Sequence, residues 1–213
     1  IIDVAAMPKD AYYLYQSLWS DKPMVHLLPH WTHTGKEGKT VPVVVYTNCD
    51  SVELFLNNVS LGIQPYIGEQ LIWNIPYEAG CIEAKAKIGN EIVATDIQRT
   101  ASSPYTVGFS ANKLKLKAGS SEVSRLELSV VDREGVLCPY ASDELSFELD
   151  GPVRLLGVDN GDPVDMFPYK QPRCKSFRGK CVLLVQATDM PGEAVITVRS
   201  DKLAEKKITL DIK

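Results

Sequence analysis

Three groups of side chains in this sequence are of a type and spacing that could do chemistry. His26, His30 and His33 fall within eight residues, and imidazole is the commonest zinc ligand. On an extended strand, however, His26 and His30 point to one face and His33 to the other. No acidic or thiolate partner stands at close spacing, so these are expected as hydrogen-bonded sheet or interface histidines. The run Asp159-Asn160-Gly161-Asp162-Pro163-Val164-Asp165 places oxygen ligands at alternating offsets around a Gly, as a calcium loop would. The EF-hand spacing fails, because no Glu stands at the twelfth position and no helix flanks the run. Asp159, Asp162 and Asp165 therefore remain a weak calcium candidate, and a loop closed by Asx turns is the expected role. No metal and no cofactor is expected. Cys49, Cys81, Cys138, Cys174 and Cys181 are odd in number and include no CxxC pair, which speaks for buried thiols rather than a disulfide framework or structural zinc. Trp73 lies too near Cys81 for a Cys49–Cys81 bridge of the antibody kind.

The chain that must position these groups has 213 residues, of which 45% are hydrophobic and 23% charged. That profile excludes disorder, collagen and a disulfide miniprotein. A complete eightfold barrel of about 250 residues does not fit. The formal charge is −4, with no basic block to release counterions from a phosphate backbone, so no nucleic-acid partner is expected. The longest apolar run, Val41 to Tyr46, contains Pro42 and is far short of the roughly 20 residues a membrane helix needs. The first residues, Ile1-Ile2-Asp3, carry neither an initiator Met nor a charged-then-apolar leader, and the chain reads as a piece of something longer.

Periodicity predicts an all-β fold of two consecutive immunoglobulin-like β-sandwiches preceded by one short helix. Ala11, Leu14, Tyr15, Leu18 and Trp19 recur at helical spacing after Pro8, which suits a first turn. With Tyr12, Tyr13, Tyr15, Leu18 and Trp19 this helix has more apolar surface than one face of a small sandwich would cover, so its packing partner is expected to be missing. From Pro23 to about Ala101 the period becomes two. Seven strands follow in under 80 residues, with Asn57-Asn58 and Gly89-Asn90 as hairpin turns. Ala101-Ser102-Ser103-Pro104 is the best boundary, and a second set of strands runs to Ile212. Between Asp159 and Lys180 the alternation fails, and a long loop is expected there. The expected organisation is a helix and linker over 1–22, one sandwich over 23–101 and a second over 102–213.

Three stretches resemble a known family. Pro8-Lys9-Asp10, Tyr12 to Ser17, Trp19, His26-Leu27-Leu28-Pro29-His30-Trp31 and Gly35-Lys36-Glu37-Gly38 resemble the segment after the catalytic barrel in bacterial family 2 glycoside hydrolases of the β-galactosidase type. Val52 to Asn57 with Ser60-Leu61-Gly62 is similar to the first accessory domain of those enzymes. Leu156 to Pro163, Phe177-Arg178-Gly179-Lys180-Cys181 and Pro191-Gly192 look like their last immunoglobulin-like domain. The resemblance implies that the helix is the last helix of the barrel, that Tyr12, Tyr15, Leu18 and Trp19 pack on it, and that the paired catalytic glutamates lie upstream. No residue here matches either glutamate motif, and the family's Gly-Phe before Pro-Lys-Asp is replaced by Ala6-Met7 and a second Trp by His33.

The implied role is therefore non-catalytic: to brace the barrel of the same polypeptide, shape access to it, and join subunits into a homo-oligomer. The parent would hydrolyse glycosidic bonds in the periplasm or outside the cell. Retaining glycoside hydrolysis needs two carboxyls about 5 Å apart, and Asp143, Glu144, Asp159, Asp162 and Asp165 are better read as solvated or capping groups of turns. Sugar faces stack on exposed aromatic rings, so Trp31, Tyr66, Trp73 and Tyr77 are candidate carbohydrate or interface platforms, although burial is the usual fate of a ring such as Trp73 in an alternating strand. Phe167 and Tyr169, on the long loop, could reach toward a neighbouring active site. A carbohydrate-binding module and an immunoglobulin-like adhesin or stalk are the competing classes.

Overall fold

A computed structural model describes residues 1–213. The chain is all-β apart from one helix and divides into two compact units: Ile1–Ile2 with Pro8–Thr100, and Asp3–Met7 with Ala101–Lys213. No helix is long and apolar enough to cross a membrane.

The first unit holds α1 (Asp10–Trp19) and seven strands: β1 (Val25–Leu28), β2 (Thr40–Thr47), β3 (Ser51–Leu56), β4 (Val59–Pro65), β5 (Leu71–Pro76), β6 (Cys81–Ile88) and β7 (Glu91–Arg99). They form a sandwich of two antiparallel sheets, β1-β2-β5 and β4-β3-β6-β7. Alternate residues of each inner strand face the core: Val41, Val43 and Val45 on β2; Val52 and Leu54 on β3; Leu71, Trp73 and Ile75 on β5; and Ile82, Ala84 and Ala86 on β6. This period-two burial is what the sequence alternation encodes. Pro42 is tolerated within β2 because β1 pairs only from Val44 to Thr47, leaving Pro42 on a free edge. Asn57 and Asn58 both adopt positive φ, at 50° and 67°, closing the two-residue hairpin between Leu56 and Val59.

Pro8 precedes the helix instead of opening its first turn; it bridges to Ile2, and Lys9 is the N-cap residue. The helix is oriented against the usual rule. Its one buried residue is Ser17, whose hydroxyl donates to the Leu14 carbonyl at 2.7 Å, while Tyr12, Tyr15, Leu18 and Trp19 are exposed. The apolar stripe that would ordinarily face the core faces outward. What ties the helix down is polar and aromatic. Tyr13 stacks on His26 at 3.7 Å. The Asn48 amide donates to the Ser20 and Lys22 carbonyls at 2.8 Å each and accepts from the Met24 N–H.

The second unit contains β8 (Thr106–Ala111), β9 (Lys115–Leu116), β10 (Val123–Val131), β11 (Glu144–Asp150), β12 (Val153–Asp159), β13 (Arg173–Lys175), β14 (Lys180–Ala187), β15 (Gly192–Arg199) and β16 (Lys206–Ile212). Its sheets are β12-β14-β10-β8 and β13-β11-β15-β16-β9, packed around Leu126, Leu128, Leu145, Leu183, Ile196 and Ile208. The run Cys181-Val182-Leu183-Leu184-Val185 is apolar without alternation because β14 is covered on both faces. Leu183 and Val185 point into the core, and Ala5 and Met7 pack over Val182 and Leu184 on the other side. Arg125 holds this cover by donating to the Ala5 carbonyl at 2.9 Å. Asp132, buried in the turn after β10, accepts from the N–H groups of Ser102, Glu134 and Val136.

Candidate functional site

The expected long loop after β12 contains a three-residue strand, β13, which pairs with the edge of β11. The loop is built of successive Asx turns, each closed by a side-chain oxygen accepting from the N–H two residues on. Asp159 accepts from Gly161 at 2.7 Å, Asn160 from Asp162 at 2.9 Å, Asp162 from Val164 at 3.1 Å, and Asp165 from Phe167 at 2.9 Å. Buried Asn160 donates to Asp165 at 2.7 Å and to the Lys175 carbonyl at 2.9 Å, pinning the loop to β13. Gly161 has φ +78°, a conformation that favours Gly, and a Cβ there would lie 2.3 Å from an Asp3 carboxylate oxygen. These bonds close the run as a series of Asx turns. Asp159, Asp162 and Asp165 point oxygens at their own loop's N–H groups and belong to no group of three or more metal-ligating side chains.

Between this loop, β11 and β13 lies an open cleft of about 480 Å³, lined among others by Glu144, Asp162, Phe167, Arg173 and Phe177. The Arg173 guanidinium lies 5.1 Å from the Phe167 ring centroid and 3.7 Å from the Glu144 carboxylate, a cation held between a π face and a negative charge. Phe167 is half-buried, while Tyr169, Val164 and Met166 stand exposed on the loop, Met166 at 92%. The loop returns over β12, where the Val158 N–H donates to the Tyr169 carbonyl at 2.7 Å. Arg173 escapes the sequence reading because a lone Arg in a polar loop carries no periodic signal; what brings it to Glu144 is the β11–β13 pairing.

The other candidate rings separate by burial. Trp31, Trp73 and Tyr77 are core side chains of the first unit. Trp31 is fully buried, donates from Nε1 to the Glu78 carbonyl at 2.9 Å and meets Tyr77 edge to face at 5.2 Å. A ring without an open face offers no platform for a sugar. Tyr66 is half-buried beside the end of β4.

The histidines also depart from the parity expected of one continuous strand. β1 stops at Leu28, just before Pro29, and the chain then brings His30 and His33 together with ring centroids 4.9 Å apart. His26 stays on β1, its Nε2 3.6 Å from Asp10 and its Nδ1 3.5 Å from Asp96. Burial opposes charge on this ring, but the flanking Asp10 and Asp96 carboxylates outweigh it and raise the His26 pKa above its ordinary value. Asp96 is held below the usual carboxylate range: burial works against its charge, and His26 with the Leu27 N–H, at 2.7 Å, overcomes that. Burial and Lys36 push His33 down.

Comparison with known proteins places these features in a family. Residues 108–209 match the glycoside hydrolase family 2 C-terminal domain 5, and residues 38–94 match a domain of unknown function. A β-galactosidase of Bacteroides ovatus is 36% identical over 96% of this chain, which covers 24% of that protein. A putative β-glucuronidase of Formosa agariphila is also 36% identical, over 92% of this chain and 19% of its own length. Among solved structures, a β-glycosidase from Bacteroides vulgatus shares 62% identity with a TM-score of 0.98, over 99% of this chain and 27% of that one. A glycosyl hydrolase family 2 member from Bacteroides cellulosilyticus superposes with a TM-score of 0.90 at 27% identity. The chain thus spans about a quarter of the length of the relatives it matches, and it belongs to the C-terminal domain region of the β-galactosidase- and β-glucuronidase-like family 2 glycoside hydrolases.

Proposed function

We propose that this chain is a non-catalytic brace for the catalytic barrel of a family 2 glycosidase, with residues 1–22 docking on that barrel and the two sandwiches, over 23–101 and 102–213, shaping access to it or joining subunits. The observation that carries this reading is the outward-facing stripe of Tyr12, Tyr15, Leu18 and Trp19, the last 75% exposed. A short helix with its apolar side outward and a serine inward is stable as the surface layer of a larger body. The short matched share of each relative agrees with it. The loop bearing Phe167 and Tyr169, with apolar Val164 and Met166 at its tip, is suited to reach an active-site rim. The parent's chemistry is hydrolysis of a β-galactoside or β-glucuronide, in the periplasm or outside the cell.

The carboxylates beside the cleft support a structural role. Asp162 and Asp165 accept from backbone N–H groups of their own loop, and Glu144 lies 3.7 Å from Arg173, so their oxygens already have structural partners. Assayed on chromogenic β-galactosides and β-glucuronides, the isolated chain is expected to give no turnover above a blank. Turnover that co-purifies with the chain through several columns and disappears on Glu144→Gln or Asp162→Asn would overturn the reading.

A further inference from the structure

Cys174 and Cys181 are separated by a tight turn. Phe177 and Lys180 exchange both backbone hydrogen bonds at 2.9 Å, and Arg178 and Gly179 between them take φ of +52° and +73°. Beyond this turn the two arms diverge. β13 joins the sheet built on β11, while β14 joins the sheet built on β10. Both cysteines nevertheless turn inward to the same core, Cys181 fully buried and Cys174 nearly so. Seven residues apart along the chain, both belong to one core cluster, and the Cys174 thiol, ahead of burial, drives the Cys181 pKa well up. The remaining cysteine of this unit, Cys138, lies against the Ser102 and Val136 carbonyls.

We propose that Cys174 and Cys181 form an intersheet disulfide that latches β13, and with it the wall of the cleft, to the central strand β14. β13 needs such a latch: it is an edge strand paired over three residues, and it carries Arg173 and Lys175 on the cleft wall. In the balanced step the two S–H bonds break and one S–S bond forms. The two electrons and two protons pass to an external disulfide, which leaves as two thiols. Because the raised thiol is a poor nucleophile and both sulfurs are shielded, exchange takes place while β13 is open, during folding. An exported parent would fold where such oxidants abound, but the inference does not depend on the glycosidase reading and is tested without it.

The full 213-residue chain, unfolded and reduced, is refolded in a mixture of reduced and oxidised glutathione, then alkylated under denaturing conditions and weighed. The expected result is three alkylated thiols instead of five, and one tryptic peptide pair that joins Cys174 to Cys181 and separates on reduction. Cys174→Ala, at the edge strand, is expected to leave four alkylated thiols and no joined pair. Export of the same chain to a bacterial periplasm supplies a count that does not depend on refolding. Five alkylatable thiols by both routes, a glutathione adduct in place of the bridge, or a different pairing would each overturn the proposal.

Discussion

His26 is the residue whose protonation most directly bears on how the helix is held. Its raised pKa and the depressed pKa of Asp96 have opposite consequences with pH. The His26 contribution is full below the imidazole's unfolded value of about 6.5 and is lost as pH rises through the higher folded value. The Asp96 contribution is full above the ordinary carboxylate range, about 4, and is lost as pH falls through the lower folded value. The helix is therefore held most firmly between those limits. Titrated by NMR, the His26 ring is expected to have a midpoint above 6.5 that moves down in Asp96→Asn; a midpoint below 6.5 in the unmodified chain contradicts the pairing. Asn160 tests the loop in the same way. Removing a buried amide that serves both Asp165 and the Lys175 carbonyl leaves acceptors unsatisfied, so Asn160→Ala should cost about 1–3 kcal/mol by urea unfolding. Met166→Ser, at an exposed position, should change stability by less than about 0.5 kcal/mol.

Helix α1 shows what an element owes to its surroundings. Its inner side is short of apolar contact, so its attachment to the first unit relies on Asn48 at its C-terminal end. Asn48→Ala should raise the rate of chymotryptic cleavage after the exposed Trp19 severalfold with little change in the rest of the unit; an unaltered rate would show that Tyr13 and His26 suffice. The same element illustrates how far a sequence can be read. Spacing along residues 11–19 reveals the helix and its apolar stripe, because periodicity is local, but which way the stripe turns depends on what packs against it. The strands of the first unit are legible almost to the residue, since alternation and the Asn57-Asn58 turn agree. β13 is hidden because three residues carry no period, and it exists only by pairing with β11. The cleft is legible in part. Phe167 and Tyr169 stand out as aromatics in a polar loop, whereas Arg173 and Glu144 come together only through the β11–β13 register.

Across the whole molecule, each unit has its own core, and the chemistry-bearing side chains are spent on structure: Asx turns, a docked helix, a pinned strand. Apolar surface stays exposed on α1 and at the tip of the long loop, among other places, and it is this surface that the proposed brace would use. Introducing Leu18→Asp with Trp19→Asp, in the isolated chain and in the full-length protein that carries it, tests the proposed bracing role most directly through thermal stability. The isolated chain should shift by no more than about 0.5 kcal/mol, since both side chains are exposed. The full-length enzyme should melt roughly 4 °C or more lower, two charges having been buried at a packed interface, and lose activity in proportion. Equal melting temperatures for the altered and unaltered full-length enzymes would contradict the account.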